Sequence, residues 1–320
     1  MMERCSTTLG LCFLMGALVW TACAGCNEEV AITPRREAPA DTTTASLFVT
    51  PTQANAMRQE GAAVLDARDT SSYDAGHVMG AAHAPWERFV DGPLSGLLSD
   101  DLGRVQDALR AAGVHDGKPV VVYGGWNAAW GEEGRIVWML EYLGHTEVKI
   151  VEGGYAAWQQ ASLPTATETP SPSPGDFTAR PREERRATMT EVLDATEDGS
   201  IVILDTREPS EYAGATPYGA VRGGHIPNAQ PFWWKEVFDA QGRLRSRAEL
   251  RAVFDGMGID DDTVVIAYCT GGVRSGFFYA VMRWLGYRNP QNYDGSWWEW
   301  ASQADLPIQG ATEATSQPSE

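Results

Sequence analysis

Beyond residue 26 the 320-residue chain has a single cysteine, Cys269; the others are Cys5, Cys12, Cys23 and Cys26. A disulfide framework inside the folded part is thereby excluded, and a lone thiol is either buried and inert or reactive. Histidine is also scarce. The five residues are scattered without metal-ligand spacing, so neither a metal nor another cofactor is expected. Positive charge is in deficit: 25 Lys and Arg stand against 43 Asp and Glu, a net charge of −18. Nucleic-acid binding needs clustered cations, so no such partner is expected. An anionic substrate would have to find a local positive field inside an acidic protein. Long hydrophobic runs are absent too, because the stretch from Leu9 to Trp20 is too short to span a membrane comfortably.

What is present at the N-terminus reads as a secretory signal over residues 1–26. Arg4 supplies the positive start, the apolar run follows, and small residues close it in Thr21-Ala22-Cys23-Ala24-Gly25-Cys26. A cysteine directly after small residues resembles a bacterial lipoprotein signal, with Cys23 or Cys26 as the lipidated residue; a simple cleaved signal is the plainer alternative. The expectation is an exported bacterial protein, periplasmic or attached to the membrane through a lipid, and otherwise a monomer. Hydrophobic residues make up 43% and charged residues 21%, a globular composition long enough for two domains. Residues 27–46, rich in Thr, Ala, Pro and charge, read as a flexible tether. Residues 167–186, with Thr169-Pro170-Ser171-Pro172-Ser173-Pro174-Gly175, read as a linker, and 309–320 as a loose tail.

The two blocks left, 47–166 and 187–308, repeat each other. Ala63-Val64-Leu65-Asp66-Ala67-Arg68 corresponds to Ile203-Leu204-Asp205-Thr206-Arg207. Tyr73 with Gly76-His77-Val78 corresponds to Tyr212 with Gly224-His225-Ile226-Pro227. Val120 to Tyr123 corresponds to Val264 to Tyr268, and Tyr142-Leu143-Gly144 to Trp284-Leu285-Gly286. Both blocks close on an aromatic glycine turn that ends in Leu-Pro, at Leu163-Pro164 and Leu306-Pro307. Short unbroken apolar runs such as Ile201–Leu204 and Val264–Tyr268 suit strands buried on both faces. Arg247 to Met257 has helical spacing, with Leu250, Val253 and Phe254 on one face and Ser246 placed to cap it; Gly276 to Leu285 is a second apolar helix. Alternating strands and helices predict an α/β fold in which each block is a parallel sheet flanked by helices on both faces. Chemistry in such folds sits at the C-terminal ends of the strands.

The strand Val264–Tyr268 delivers Cys269 at such an end, followed by Thr270-Gly271-Gly272-Val273-Arg274-Ser275 and then the helix. Two glycines let the loop curl with its N–H groups inward, and the helix start adds its positive end. Both favour an anion at the loop centre, which lowers the pKa of Cys269 and suits a persulfide or an anionic substrate. Arg274 brings the loop's full positive charge, and Ser275 a further donor.

The repeat, with its Asp-x-Arg, Gly-His-Ile-Pro, Tyr-Cys-x-x-Gly-x-Arg-Ser and Asp-Gly-x-Trp elements, resembles the tandem-domain rhodaneses over about Leu47 to Ile308. The resemblance implies two rhodanese-like domains, the second catalytic, and a sulfurtransferase working through a persulfide on Cys269. A small-molecule sulfur donor such as thiosulfate or 3-mercaptopyruvate and a thiol or cyanide acceptor are the implied partners. Gly124 stands in the first domain where Cys269 stands in the second. The family's site lies between the domains, so Trp126, Asn127 and Trp130 are expected to face it. The implied site is Cys269 and Arg274 as catalytic residues, with Thr270, Gly271, Gly272, Val273, Ser275, Arg207, Arg222 and Asp205 as substrate- or persulfide-binding residues. Two departures bear on the donor. The basic residues that follow the cysteine in mitochondrial-type enzymes are Thr270 and Gly271 here, and the family's substrate-binding arginine falls at Glu211. Arg222, just before Gly223-Gly224-His225, is placed to supply the missing cation.

Plainer readings stand beside these. Asp205 and Arg207 recur as Asp66 and Arg68 in the block without the cysteine, which favours a structural pair. His225 recurs as His77 and reads as a packing residue, and Trp233-Trp234 as core or cleft wall. A phosphatase is the enzymatic rival, but its loop is wider than the four residues between Cys269 and Arg274. A sulfur-carrying or binding lipoprotein is the rival from another class.

Overall fold

The computed structural model describes residues 46–310; the signal segment, residues 27–45 of the tether and residues 311–320 of the tail lie outside the described residues. In the first domain β1 (Phe48–Val49), α1 (Pro51–Gln59), β2 (Ala63–Asp66), α2 (Thr70–Ala75), β3 (His77–Val78), β4 (Ala82–His83), α3 (Leu102–Ala111), β5 (Val120–Tyr123), α4 (Glu132–Tyr142), β6 (Val148–Val151), α5 (Gly154–Gln160) and β7 (Thr165–Ala166) follow in order. The second has α6 (Met189–Ala195), β8 (Ile201–Asp205), α7 (Pro209–Tyr212), β9 (Gln230–Pro231), α8 (Arg247–Gly256), β10 (Val264–Tyr268), α9 (Val273–Leu285), β11 (Asn289–Asn292) and α10 (Ser296–Ser302).

Two parallel sheets result, in the orders β1-β6-β5-β2-β4 and β11-β10-β8-β9. The β-branched runs form the central strands because helices cover both faces, and every residue of β5 is buried. The second sheet's counterpart of β1 shrinks to one bridge, Arg186 with Asn292. Ser246 caps α8 in a full capping box. Helix α9 starts three residues earlier than the apolar pattern implies, at Val273, because Gly272 takes φ 77° and turns the loop straight into it.

Two boundary expectations need correction. Residues 167–186 are not a free linker. Gly175 donates to the Arg110 carbonyl (2.8 Å), Arg180 to that of Leu143 (2.8 Å) and Arg182 to that of Tyr142 (2.7 Å), while Phe177 is fully buried. Proline removes donors from this strap, but the N–H groups left find carbonyls on the first domain. The start of the tail is likewise tied down: Gln309 and His225 exchange both backbone hydrogen bonds (2.9 Å each), the counterpart of β3 pairing with β7.

One apolar cluster runs through both domains. Its centre is Phe277 of α9, ringed at 5.4–6.1 Å by Trp126 and Phe48 from the first domain and Phe238 and Trp234 from the second. Helices α4 and α9 cross where both lack a side chain. A Cβ on Gly276 would lie 2.8 Å from the Arg135 Cα, and one on Gly134 would strike the Phe277 backbone. Each domain also lends a loop to the other. Residues 90–98, closed by a Val90–Leu98 bridge, reach the second domain, where the Leu98 N–H donates to Asp294 (2.7 Å). Residues 238–244, closed by Phe238–Leu244, reach the first, where Trp126 Nε1 donates to the Gly242 carbonyl (2.8 Å).

Candidate active site

Strand β10 ends at Tyr268, whose hydroxyl donates to Asp205 (2.6 Å) and accepts from the Ile226 N–H (3.2 Å). Cys269 follows, 1% exposed, and is the free cysteine among the described residues. Its own N–H donates to Ser296 Oγ (3.0 Å) at the start of α10. Burial pushes the thiol up, but the Arg274 charge, the Ser275 N–H and hydroxyl and the Gly271 N–H outweigh it, so the pKa is lowered. The Ser275 hydroxyl has no other partner, which leaves it for the sulfur. Thr270, Gly271, Gly272 and Val273 complete the turn at the positive end of α9.

Arg274 is not an open cation. Its Nη1 donates to Glu211 Oε2 (2.6 Å) and its Nη2 to Glu211 Oε1 (3.0 Å) and to the Thr270 hydroxyl, which in turn donates to Glu211 Oε1 (2.6 Å). Burial opposes the charge on Arg274, yet Cys269 and Glu211 more than compensate and its pKa is raised. Burial likewise opposes the Glu211 carboxylate, and Arg274 and Thr270 hold it below the usual range.

Three expected site residues are engaged by other groups. The Arg222 guanidinium donates to the carbonyls of Trp300 (3.0 Å), Ala301 (2.8 Å), Gln303 and Leu306, closing the C-terminal end of α10. It supplies no cation to the loop because those carbonyls take its donors. Arg207 holds Asp205 at both oxygens (3.0 and 2.6 Å), donates to the Gly224 carbonyl (2.7 Å) and lies under Trp297. Both are buried, and the first domain repeats the arrangement with Asp66, Arg68, Tyr123 and the Gly76 carbonyl. They brace the strand ends alike in the domain with the cysteine and the one without it. His225 stacks on Tyr212 at 3.6 Å, as His77 stacks on Tyr73, which are packing contacts. Trp234 is core. Trp126 and Asn127 face the 238–244 loop, and Trp130 alone of the three reaches Arg274, its ring 5.5 Å from the guanidinium carbon.

Four contributors went unrecognised in the sequence. Arg135, from α4, lies beneath the loop: its Nη2 donates to the Gly96 carbonyl (2.5 Å), it faces Asp294 at 3.8 Å, and its charge is felt at Cys269. Burial, against the attraction of Asp294, lowers its pKa to about 10. Glu211 offered a signal, an acid where the family has a base. Trp298 lies flat on Gly271, where no Cβ fits. Tyr218 comes from an added segment: eleven residues separate Tyr212 from Gly224, against two between Tyr73 and Gly76. Its ring meets Trp130 at 5.2 Å, and both are over 40% exposed. Aromatic side chains from both domains therefore frame the loop.

The model of the rhodanese-like domain matches residues 50–161 and 188–303. The chain belongs to the rhodanese family. Among its relatives are the "Sulfur carrier protein TtuD" of Thermus thermophilus, 33% identical over 75% of this chain and 87% of that one, and the "Thiosulfate sulfurtransferase" of Corynebacterium glutamicum, 33% identical over 75% and 82%. The crystal structure of SseA from Escherichia coli, described with the 3-mercaptopyruvate sulfotransferases, is 28% identical, covers 79% of this chain and 99% of its own, and superposes with a TM-score of 0.69. This rhodanese is a sulfurtransferase-type enzyme. Its first domain keeps the fold without the nucleophile. A Cβ at Gly124 would fall on the Glu133 carboxyl, which lies fully buried in the space a cysteine would need.

Proposed function

We propose that Cys269 takes the outer sulfur of thiosulfate, or of a related donor, and passes it to a thiol or cyanide. The observation that carries this is the thiol's setting: a buried sulfur at a strand end, faced by Arg274, the Gly271 and Ser275 N–H groups and the Ser275 hydroxyl. In the first step a bond forms between Sγ and the outer sulfur while the donor's S–S bond breaks, and sulfite departs with the electron pair. In the second, the acceptor attacks the outer sulfur and Cys269 leaves as thiolate, giving a persulfide or thiocyanate. The loop donors and Arg274 hold the negative charge in both steps. The exposed rings of Trp130 and Tyr218 mark the side by which small molecules approach. Sulfite release from thiosulfate tests the reading: wild type releases it, Cys269→Ser does not, and equal inactivity of both with thiosulfate, 3-mercaptopyruvate and a thiosulfonate would favour a sulfur-binding role instead. Aryl phosphate is not turned over, because the four-residue loop is narrower than a phosphate cradle.

For the mature protein we propose export to the periplasm and a lipid on Cys23 or Cys26, on the strength of the N-terminal pattern. A mass of the mature N-terminus carrying acyl chains supports it; an unmodified N-terminus after residue 26 contradicts it. A monomer is proposed because each domain's crossing loop already finds its place on the other. Light scattering after gel filtration checks this.

A further inference from the structure

The loop is electrically balanced before any donor arrives. Three guanidinium groups surround it, Arg274, Arg135 and Arg186, and three anions answer them: Glu211, Asp294 and the Cys269 thiolate. Arg207 is balanced separately by Asp205, and carbonyls at the C-terminal end of α10 hold the Arg222 guanidinium there. The loop's own arginine, Arg274, is therefore paired before a donor arrives. At the mouth, burial together with the charges of Glu208 and Glu211 keeps the Tyr218 phenol protonated to higher pH. The walls there are aromatic: Trp130 and Tyr218 over Arg274, and Trp298 on Gly271, stacked at 6.5 Å with Trp86 of the other domain.

We infer that Glu211 is a specificity-determining residue, which by cancelling Arg274 selects monoanionic sulfane donors over the thiosulfate dianion. The inference rests on the sulfurtransferase reading and refines its donor. Glu211 does not touch the sulfur that moves; it acts through Arg274 and Thr270. A dianion entering a buried site whose loop arginine is already paired gains less compensation there, whereas a monoanion with an apolar substituent loses less hydration and gains the aromatic walls. A thiosulfonate, R–SO2–S⁻, is such a donor. The Cys269 thiolate bonds to its outer sulfur, the bond from that sulfur to the sulfonyl sulfur breaks, and the sulfinate R–SO2⁻ leaves with the pair. One persulfide anion and one sulfinate result from two anions, and no oxidant or reductant is needed.

The test compares methanethiosulfonate with thiosulfate, which share the transferred sulfur and differ by one charge, in the full chain with cyanide as acceptor. In wild type kcat/KM for methanethiosulfonate exceeds that for thiosulfate by about tenfold or more, mainly through KM. Because the interaction scales with donor charge, Glu211→Gln lowers the KM for thiosulfate about tenfold and that for methanethiosulfonate about threefold, with kcat for each little changed. A wild type that prefers thiosulfate overturns the assignment. So does a Glu211→Gln enzyme whose kcat/KM falls equally for both, which would mark a merely structural residue. The wild-type ratio needs no variant and decides the matter if Glu211→Gln fails to fold. A Cys269 that gains sulfur from neither donor overturns the sulfurtransferase reading as well, whereas equal use of both overturns this inference alone.

Discussion

Cys269 shows how opposed effects settle at one atom. Its burial alone would keep it a thiol; Arg274 and three loop donors turn the balance toward thiolate. Its rate of alkylation by iodoacetamide should therefore rise with pH to a midpoint below that of an ordinary thiol, and Arg274→Gln should move that midpoint up. Glu133 presents the opposite case. Burial, then the nearby Glu132 charge, push its carboxyl up to about 8, against the opposing backbone N–H groups of Glu133 and Trp126. Between the usual carboxylate range and about pH 8 the folded protein keeps a proton that the unfolded chain has lost. The resulting stability is complete below the unfolded pKa and is lost as pH rises through about 8. Glu133→Gln keeps the shape without the titration. Its stability relative to wild type, from urea unfolding, should rise between pH 5 and pH 8; a constant difference would contradict this.

At the scale of elements, the junction of α4 and α9 joins the two domains through Gly134 and Gly276. Gly276→Val should force the helices apart. Because α9 carries Arg274 and α4 carries Arg135, sulfur transfer should fall with stability, measured as kcat and urea midpoint on the same sample. Much of this level was legible in the sequence. The apolar runs, the repeat and the Gly-Gly turn after Cys269 gave the strands, the sheet class and the nucleophile, because each is local in the chain. Interactions between distant residues were not. Glu211 reaches Arg274 across 63 residues and Arg135 reaches the loop from the other domain, so neither leaves a pattern in one sequence. Arg222 misled because its nearness to a glycine turn does not reveal that α10's carbonyls take its donors. The Pro-Ser strap misled because composition records the missing donors and not the carbonyls that receive those left.

For the whole molecule, one core shared by two domains has a thermodynamic consequence. Phe277 is packed by rings from both, so Phe277→Ala should cost about 3–5 kcal/mol, and tryptophans of both domains should report one unfolding transition in wild type and variant alike. Separate transitions would contradict a shared core. The same joining makes the site: the second domain provides the nucleophile and its loop, and the first closes it with Gly96, Arg135 and Trp130. Intact mass spectrometry after brief exposure to a sulfane donor shows whether this joint site loads sulfur onto Cys269. The expected result is an increment of about 32 Da, one sulfur atom, that maps to Cys269, disappears on adding cyanide and is absent from Cys269→Ser. No increment on wild type, or one that persists in Cys269→Ser, would contradict it.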